Sequence, residues 1–179
     1  MARVAVTAFG PDQPGIVATL TGVLMGHGAN LEDTSMTILQ GHFAMMLVVA
    51  LPPGEGSEAL EQSLTTEVGG LGLTVVVRPL GDGNRPGGAD ASSWAVSVYG
   101  SDRPGIVHRV TDVLARAGAN ITDLTTRLVG EPGASAYVML LEITLPGNAD
   151  IGRLGAGLAA LGDELGVEVH LRPDDADVL

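Results

Sequence analysis

The stretch GPDQPGIV, residues 10–17, returns as GSDRPGIV at residues 100–107, with six of eight letters unchanged. Repeats are the first thing to seek in a sequence, because a repeated unit fixes the architecture before any single element is assigned. At an offset of 90, Asp12, Pro14, Gly15, Ile16, Val17, Thr21, Leu24, Gly28, Ala29, Asn30 and Asp33 all meet identical residues. After four extra residues around GEPGAS the offset becomes 94, and VVVRP ending at Pro79 meets VHLRP ending at Pro173. The chain is one domain written twice.

Each copy reads the same way outward from that stretch. Before it, Val4, Val6 and Ala8 alternate with other residues, as do Trp94, Val96 and Val98, which is the period of a strand. After it, Ile16, Val17, Leu20, Val23 and Leu24 form one helical stripe, echoed by Ile106, Val107, Val110, Val113 and Leu114. Pro14 and Pro104 suit a first helical turn, where a missing N–H costs nothing. Gly28 and Gly118 are expected to end the helices in left-handed caps. A strand from about Leu31 to Leu39, a tight turn at Gln40–Gly41–His42 and the run FAMMLVVAL make an antiparallel hairpin, longer in the second copy through GEPGA. A second helix is expected near Ser57–Val68 and Asp150–Leu165, and a last strand ends each copy at the Arg-Pro pair.

The order βαββαβ predicts an α+β chain of two ferredoxin-like domains, each a four-stranded antiparallel sheet with two helices on one face. The expected boundaries are 1–80 and 93–173, with a Gly/Pro/Ser-rich linker at 81–92 and an acidic tail at 174–179. In the first copy both faces of the third strand are apolar. Phe43, Met45, Leu47 and Val49 make one, Ala44, Met46, Val48 and Ala50 the other. Helices cover only one face, so the other is expected to lie against another domain or subunit. In the second copy that face carries Glu142 and Thr144.

Composition narrows the function. Of 179 residues 45% are apolar and only 3% aromatic, so the cores are aliphatic. The net charge of −12 is shared almost evenly, −5 over residues 1–80 and −6 over 91–179. An acidic chain repels phosphate backbones and anionic lipid, which argues against direct nucleic-acid or membrane binding. There is no Cys, which removes disulfides and thiolate metal sites. No signal-peptide pattern and no apolar run long enough for a membrane span is visible, so a cytoplasmic location is expected. His27, His42, His108 and His170 have no metal-ligand spacing, and no nucleophile elbow or phosphate loop occurs. Neither an enzyme nor a bound cofactor or metal is expected.

The repeated loop leaves a strand and enters a helix, whose unpaired N–H groups and positive dipole end suit a carboxylate. The donors at Gly15 and Ile16 are then free, and Asp12 beside them is placed for an ammonium group. Asp-x-Pro-Gly is equally a good helix start, with Asp supporting the cap. Asn30 and Asn120 either ease the turn into the strand or offer a donor and an acceptor to a small polar ligand.

A DxPGIV loop followed some thirteen residues later by GAN and Leu or Ile, inside βαββαβ, resembles the ACT domain, a family of small regulatory modules that often bind amino acids. The resemblance covers both copies. It implies a ligand held between paired domains, by the strand–helix loop of one and the second strand of its neighbour. Carried over, the ligand-binding positions are Asp12, Gly15, Ile16 and Asn30, with Asp102, Gly105, Ile106 and Asn120. In serine-sensing relatives a His lies two residues before the acidic position, which is often Asn. Here those places are Gly10 and Gly100, so the likeness does not extend to serine. The implied partners are a small amino acid, glycine or another small aliphatic or polar one, a protein target, and a second copy in a homodimer. A ligand-free assembly module is the alternative. A regulatory subunit of a biosynthetic enzyme is disfavoured by the repeat, since the acetohydroxyacid synthase small subunits carry one ACT copy.

Overall fold

Val4, Val6 and Ala8 share one face of the first strand, and all three are buried. The computed structural model describes residues 2–81, 91–130 and 136–174. The chain divides into two units, Met1–Asn84 and Arg85–Leu179. The first contains β1 (Ala2–Pro11), α1 (Ile16–Gly26), β2 (Asn30–Leu39), β3 (His42–Leu51), α2 (Ser57–Gly69) and β4 (Thr74–Leu80). The second contains β5 (Ser92–Gly100), α3 (Ile106–Arg116), β6 (Asn120–Val129), β7 (Ala136–Leu145), α4 (Ile151–Leu165) and β8 (Val167–Pro173). The sheets run β2-β3-β1-β4 and β6-β7-β5-β8, antiparallel throughout. This is the expected ferredoxin-like βαββαβ fold, twice. Most of the expected linker, the GEPGA loop beyond Gly130 and the tail beyond Asp174 lie outside the described residues.

Each unit has its own core. In the first, Val4, Val6, Phe43, Met45, Leu47 and Val49 of the sheet lie under Ile16, Leu20 and Leu24 of α1 and Leu60, Leu64 and Val68 of α2. The four-residue spacing of both helical triplets makes one stripe per helix. The second unit repeats this with Ile106, Val110 and Leu114 of α3 and Leu154, Leu158, Leu161 and Leu165 of α4. Gly28 and Gly118 are left-handed (φ 61° and 75°). The N–H of Ala29 reaches Leu24 O and that of Ala119 reaches Leu114 O, both at 3.0 Å, which closes each helix end.

One expectation is corrected. Pro14 and Pro104 do not stand in a first helical turn. Gly15 and Gly105 both have φ 94°, a conformation no right-handed helix admits, so the helices begin one residue later at Ile16 and Ile106. The prolines set the chain direction into that left-handed step.

The second strand of each unit stands at the sheet edge. All ten residues of β2 are exposed. A bulge between Leu31 and Asp33 recurs between Ile121 and Asp123. It carries Asp33 and Asp123 to the sheet face away from the helices, in register with Val48 and Glu142.

Candidate functional site

The corner between β1 and α1 is built almost without side chains. Gly15 is the N-cap of α1 and Gly105 that of α3, and neither helix has a side-chain cap or an acidic residue in its first turn. The first intrahelical acceptors are Gly15 O, bonded by Thr19 N at 2.9 Å, and Gly105 O, bonded by Arg109 N at 3.0 Å. The N–H groups of Ile16 to Ala18 and Ile106 to His108 therefore have no acceptor within the helix. Ile16 and Ile106 bury their side chains in the core, so only their backbone faces the corner. Asp12 and Asp102 are exposed and do not cap. The reading of this aspartate as a helix cap is set aside by the geometry, because the left-handed glycine turns the helix start away from it.

Two contacts hold the first corner in place, and one of them has a counterpart in the second. The N–H of Asp12 donates to Gly41 O at 2.9 Å, joining the loop to the β2–β3 turn. The Gln13 side chain donates to Leu71 O at 2.5 Å, and Arg103 at the equivalent place donates to Leu165 O at 3.1 Å. These positions differ between the repeats in residue type but agree in task. Gly10 and Gly100 are required by close approach. A Cβ on Gly10 would stand 2.8 Å from Gly72 O, and one on Gly100 would stand 2.6 Å from a Val167 methyl.

The two copies differ in the residue at one position that the second corner's charge affects. Burial raises the Tyr137 hydroxyl above the usual tyrosine range, the negative charge of Asp102 adds to this, and a hydrogen bond with Thr126 opposes it. Asp102 thus has a hydroxyl-bearing residue within the reach of its charge. The first copy has Phe43 and Met36 at the matching positions. Sequence reasoning missed these residues, although alignment of the repeats sets Phe43 against Tyr137.

Asn30 and Asn120 begin β2 and β6 and are exposed. Neither meets the aspartate of its own copy. Asn30 is in register with Ala50, which pairs with Arg3 at the start of β1, whereas Asp12 follows Pro11 at its end. Eight residues of strand separate those rows, about 27 Å. One unit alone brings together Asp12, Gly15 and Ile16, or Asp102, Gly105 and Ile106, and leaves the asparagine at the far end of the sheet. None of the five principal concavities among the described residues is lined by any of these eight positions. A site using both loop and asparagine cannot form within one unit.

Among the described residues no cluster of three or more His, Asp and Glu is placed to hold a metal ion. His27 Nδ1 lies 2.5 Å from Glu55, tying the end of α1 to the loop before α2. No helix among the described residues is long and apolar enough to cross a membrane.

The ACT domain pattern matches residues 2–78 and again 95–172. The chain belongs to the ACT domain family. Its two ACT copies match the glycine cleavage system transcriptional repressor of Escherichia coli (strain K12), 28% identical over 165 residues, covering 91% of this chain and 85% of the repressor. A UPF0237 protein of Methanopyrus kandleri is 42% identical over 79 residues, a single ACT copy that covers 44% of this chain and 88% of its own length. Among solved structures, an unknown protein from Galdieria sulphuraria superposes with a TM-score of 0.83 at 29% identity, covering 96% of this chain and 98% of the other. This protein is therefore a tandem ACT-domain protein that resembles the glycine cleavage system transcriptional repressor.

Proposed function

We propose that this chain is an amino-acid-responsive regulator that acts by protein–protein contact on a transcriptional regulator or a metabolic enzyme. The observation that carries the reading is the doubled corner. In each copy an uncommitted aspartate stands before a helix start that has neither a side-chain cap nor an acidic first turn. An α-amino acid supplies the missing complement, its carboxylate to the N–H groups of Gly15 and Ile16 and its ammonium to Asp12. Gly105, Ile106 and Asp102 do the same in the second copy. Asn30 or Asn120 of an antiparallel neighbouring copy completes each site by hydrogen bonds.

A small ligand is favoured, glycine or another small aliphatic or polar amino acid. The kinship with a repressor named for the glycine cleavage system points this way. Binding between two copies favours one relative arrangement of them and so shifts the exposure of a partner surface. With a net charge of −12, repression would proceed through a DNA-binding partner in the cytoplasm, without direct contact to DNA and without catalysis.

The test is a thermal-shift screen of the full chain against the common amino acids at millimolar concentration. A stabilising hit that is lost in Asp12→Ala with Asp102→Ala, and weakened in Asn30→Ala with Asn120→Ala, supports the reading. No hit from any amino acid favours the second reading, a ligand-free assembly module. That reading draws on the exposed edge strand β2, whose unpaired backbone groups are a ready pairing surface.

A further inference from the structure

The first unit's sheet face opposite the helices is apolar at its centre, and its rows pair small side chains with larger ones. Its middle rows are cross-strand pairs of β1 and β3: Ala5 with Val48, Thr7 with Met46, and Phe9 with Ala44. Every row joins one small and one larger side chain. Met46 is 55% exposed and Phe9 47% exposed, so nothing in the first unit itself covers this face. The Ala5–Val48 row ends in opposite charges, Asp33 on β2 and Arg78 on β4.

We propose that this face docks on the same face of a second copy of the chain, about a two-fold axis that lies between the sheets and parallel to the strands. Such an axis sets β3 of one copy over β1 of the other, and β2 over β4. Val48 then meets the partner's Ala5, Met46 meets the partner's Thr7 and Phe9 meets the partner's Ala44, a larger side chain against a smaller one each time. The same rotation sets each Asp33 over the partner's Arg78 and closes two ion pairs at the rim. A two-fold across the strands would instead lay β2 over β2 and leave both charges without complements. Four strands about 4.8 Å apart and rows about 6.8 Å apart make a face of roughly 500–600 Å², so two faces bury about 1,000–1,200 Å², near the lower bound for a specific interface.

The second unit's face is not an equivalent occupant. Glu142 replaces Val48 there, in register with Ala95, and any such docking would bury its carboxylate at the centre of the sheet. The occupant is therefore the first unit of another copy. This assembly does not depend on ligand, and it stands whether or not the corner binds an amino acid.

Analytical ultracentrifugation of the full chain tests it, with circular dichroism to confirm that each variant is folded. The wild type is expected to be a dimer at micromolar concentration. Asp33→Arg and Arg78→Asp each set like charges against each other and should weaken dimerisation by about tenfold or more. The double variant restores opposite charges and should recover most of the wild-type affinity. Met46→Asp, whose side chain is exposed in the single unit, should give a folded monomer. A monomeric wild type, single charge reversals that leave dimerisation unchanged, or a double variant no better than its weaker parent would overturn the proposal. So would a dimer that survives Met46→Asp and is lost in Leu140→Asp on the second unit's face.

Discussion

Gln13 reaches from the β1–α1 corner to the carbonyl of Leu71, 2.5 Å away, just beyond the end of α2. Arg103 makes the equivalent bond to Leu165 in the second unit. Each side chain therefore holds its corner against the far helix of its own unit. Gln13→Ala and Arg103→Ala should each cost about 1 kcal/mol in urea unfolding, the ordinary worth of one such bond. The sharper readout is amide hydrogen exchange. Residues 15–18 or 105–108 should exchange faster in the matching variant, with the core strands unchanged.

The repeated glycines should divide into two kinds. Gly10→Ala and Gly100→Ala place a Cβ at 2.8 Å from Gly72 O and 2.6 Å from a Val167 methyl, so each should lose about 1–3 kcal/mol through forced backbone shifts. Gly15→Ala meets nothing within 4 Å but must hold φ 94°, so its cost of about 1 kcal/mol is purely conformational. Gly15→Asn should recover part of that loss where Gly10→Asn does not, because Asn tolerates left-handed backbone. Trp94, the single tryptophan, lies in the second unit, so its fluorescence reads the Gly100 variant directly.

The influence of the Asp102 charge on Tyr137 is open to titration. Burial and the Asp102 charge both hold the Tyr137 hydroxyl above the usual tyrosine range. A raised folded value means that stability is fully present below the unfolded tyrosine value and is lost as pH rises through the folded one. In a Tyr99→Phe background, ultraviolet titration should place Tyr137 above a peptide tyrosine, and Asp102→Asn should lower it. An unchanged titration would mean that the Asp102 charge does not act on the ring.

Acid stability should carry a small signature of the helix pair α3 and α4. Arg109 donates to Glu164 at 2.6 Å, and that hydrogen bond, then the Arg109 charge, holds the Glu164 carboxyl below the usual glutamate range. The folded value is depressed, so the contribution is present above the unfolded value and fades as pH falls through the folded one. Both groups are open to solvent and screened, so the effect is small. Glu164→Gln should leave a shallower fall of Tm on acidification, and added salt should narrow the difference between variant and wild type.

Much of this was legible in the chain itself. The repeat, the alternating strands, the helical stripes and the glycine caps all follow from local periodicity, which a linear sequence carries in full. The ACT motif could be read because the left-handed step into each helix demands glycine at a set place. Other features could not be read so. The sequence made Asp12 look like a cap, and only the left-handed step at Gly15 separates the two. It did not reveal the anchoring task of Gln13 and Arg103, because their partners lie 58 and 62 residues away.

What the sequence by itself determined is the pair of βαββαβ domains, since burying an apolar stripe of that period against a sheet has few solutions. Tertiary structure alone decided which residues share a row and an end. The strand register puts Asp12 and Asn30 at opposite ends of one sheet, and the bulge before Asp33 turns its carboxylate to the open face beside Val48. Register and bulges depend on pairing between strands distant in sequence, and a shift of one residue exchanges the two faces. That geometry keeps Asp12 and Asn30 from sharing a site within one unit, and it sets Asp33 and Arg78 at the two ends of one row on one face.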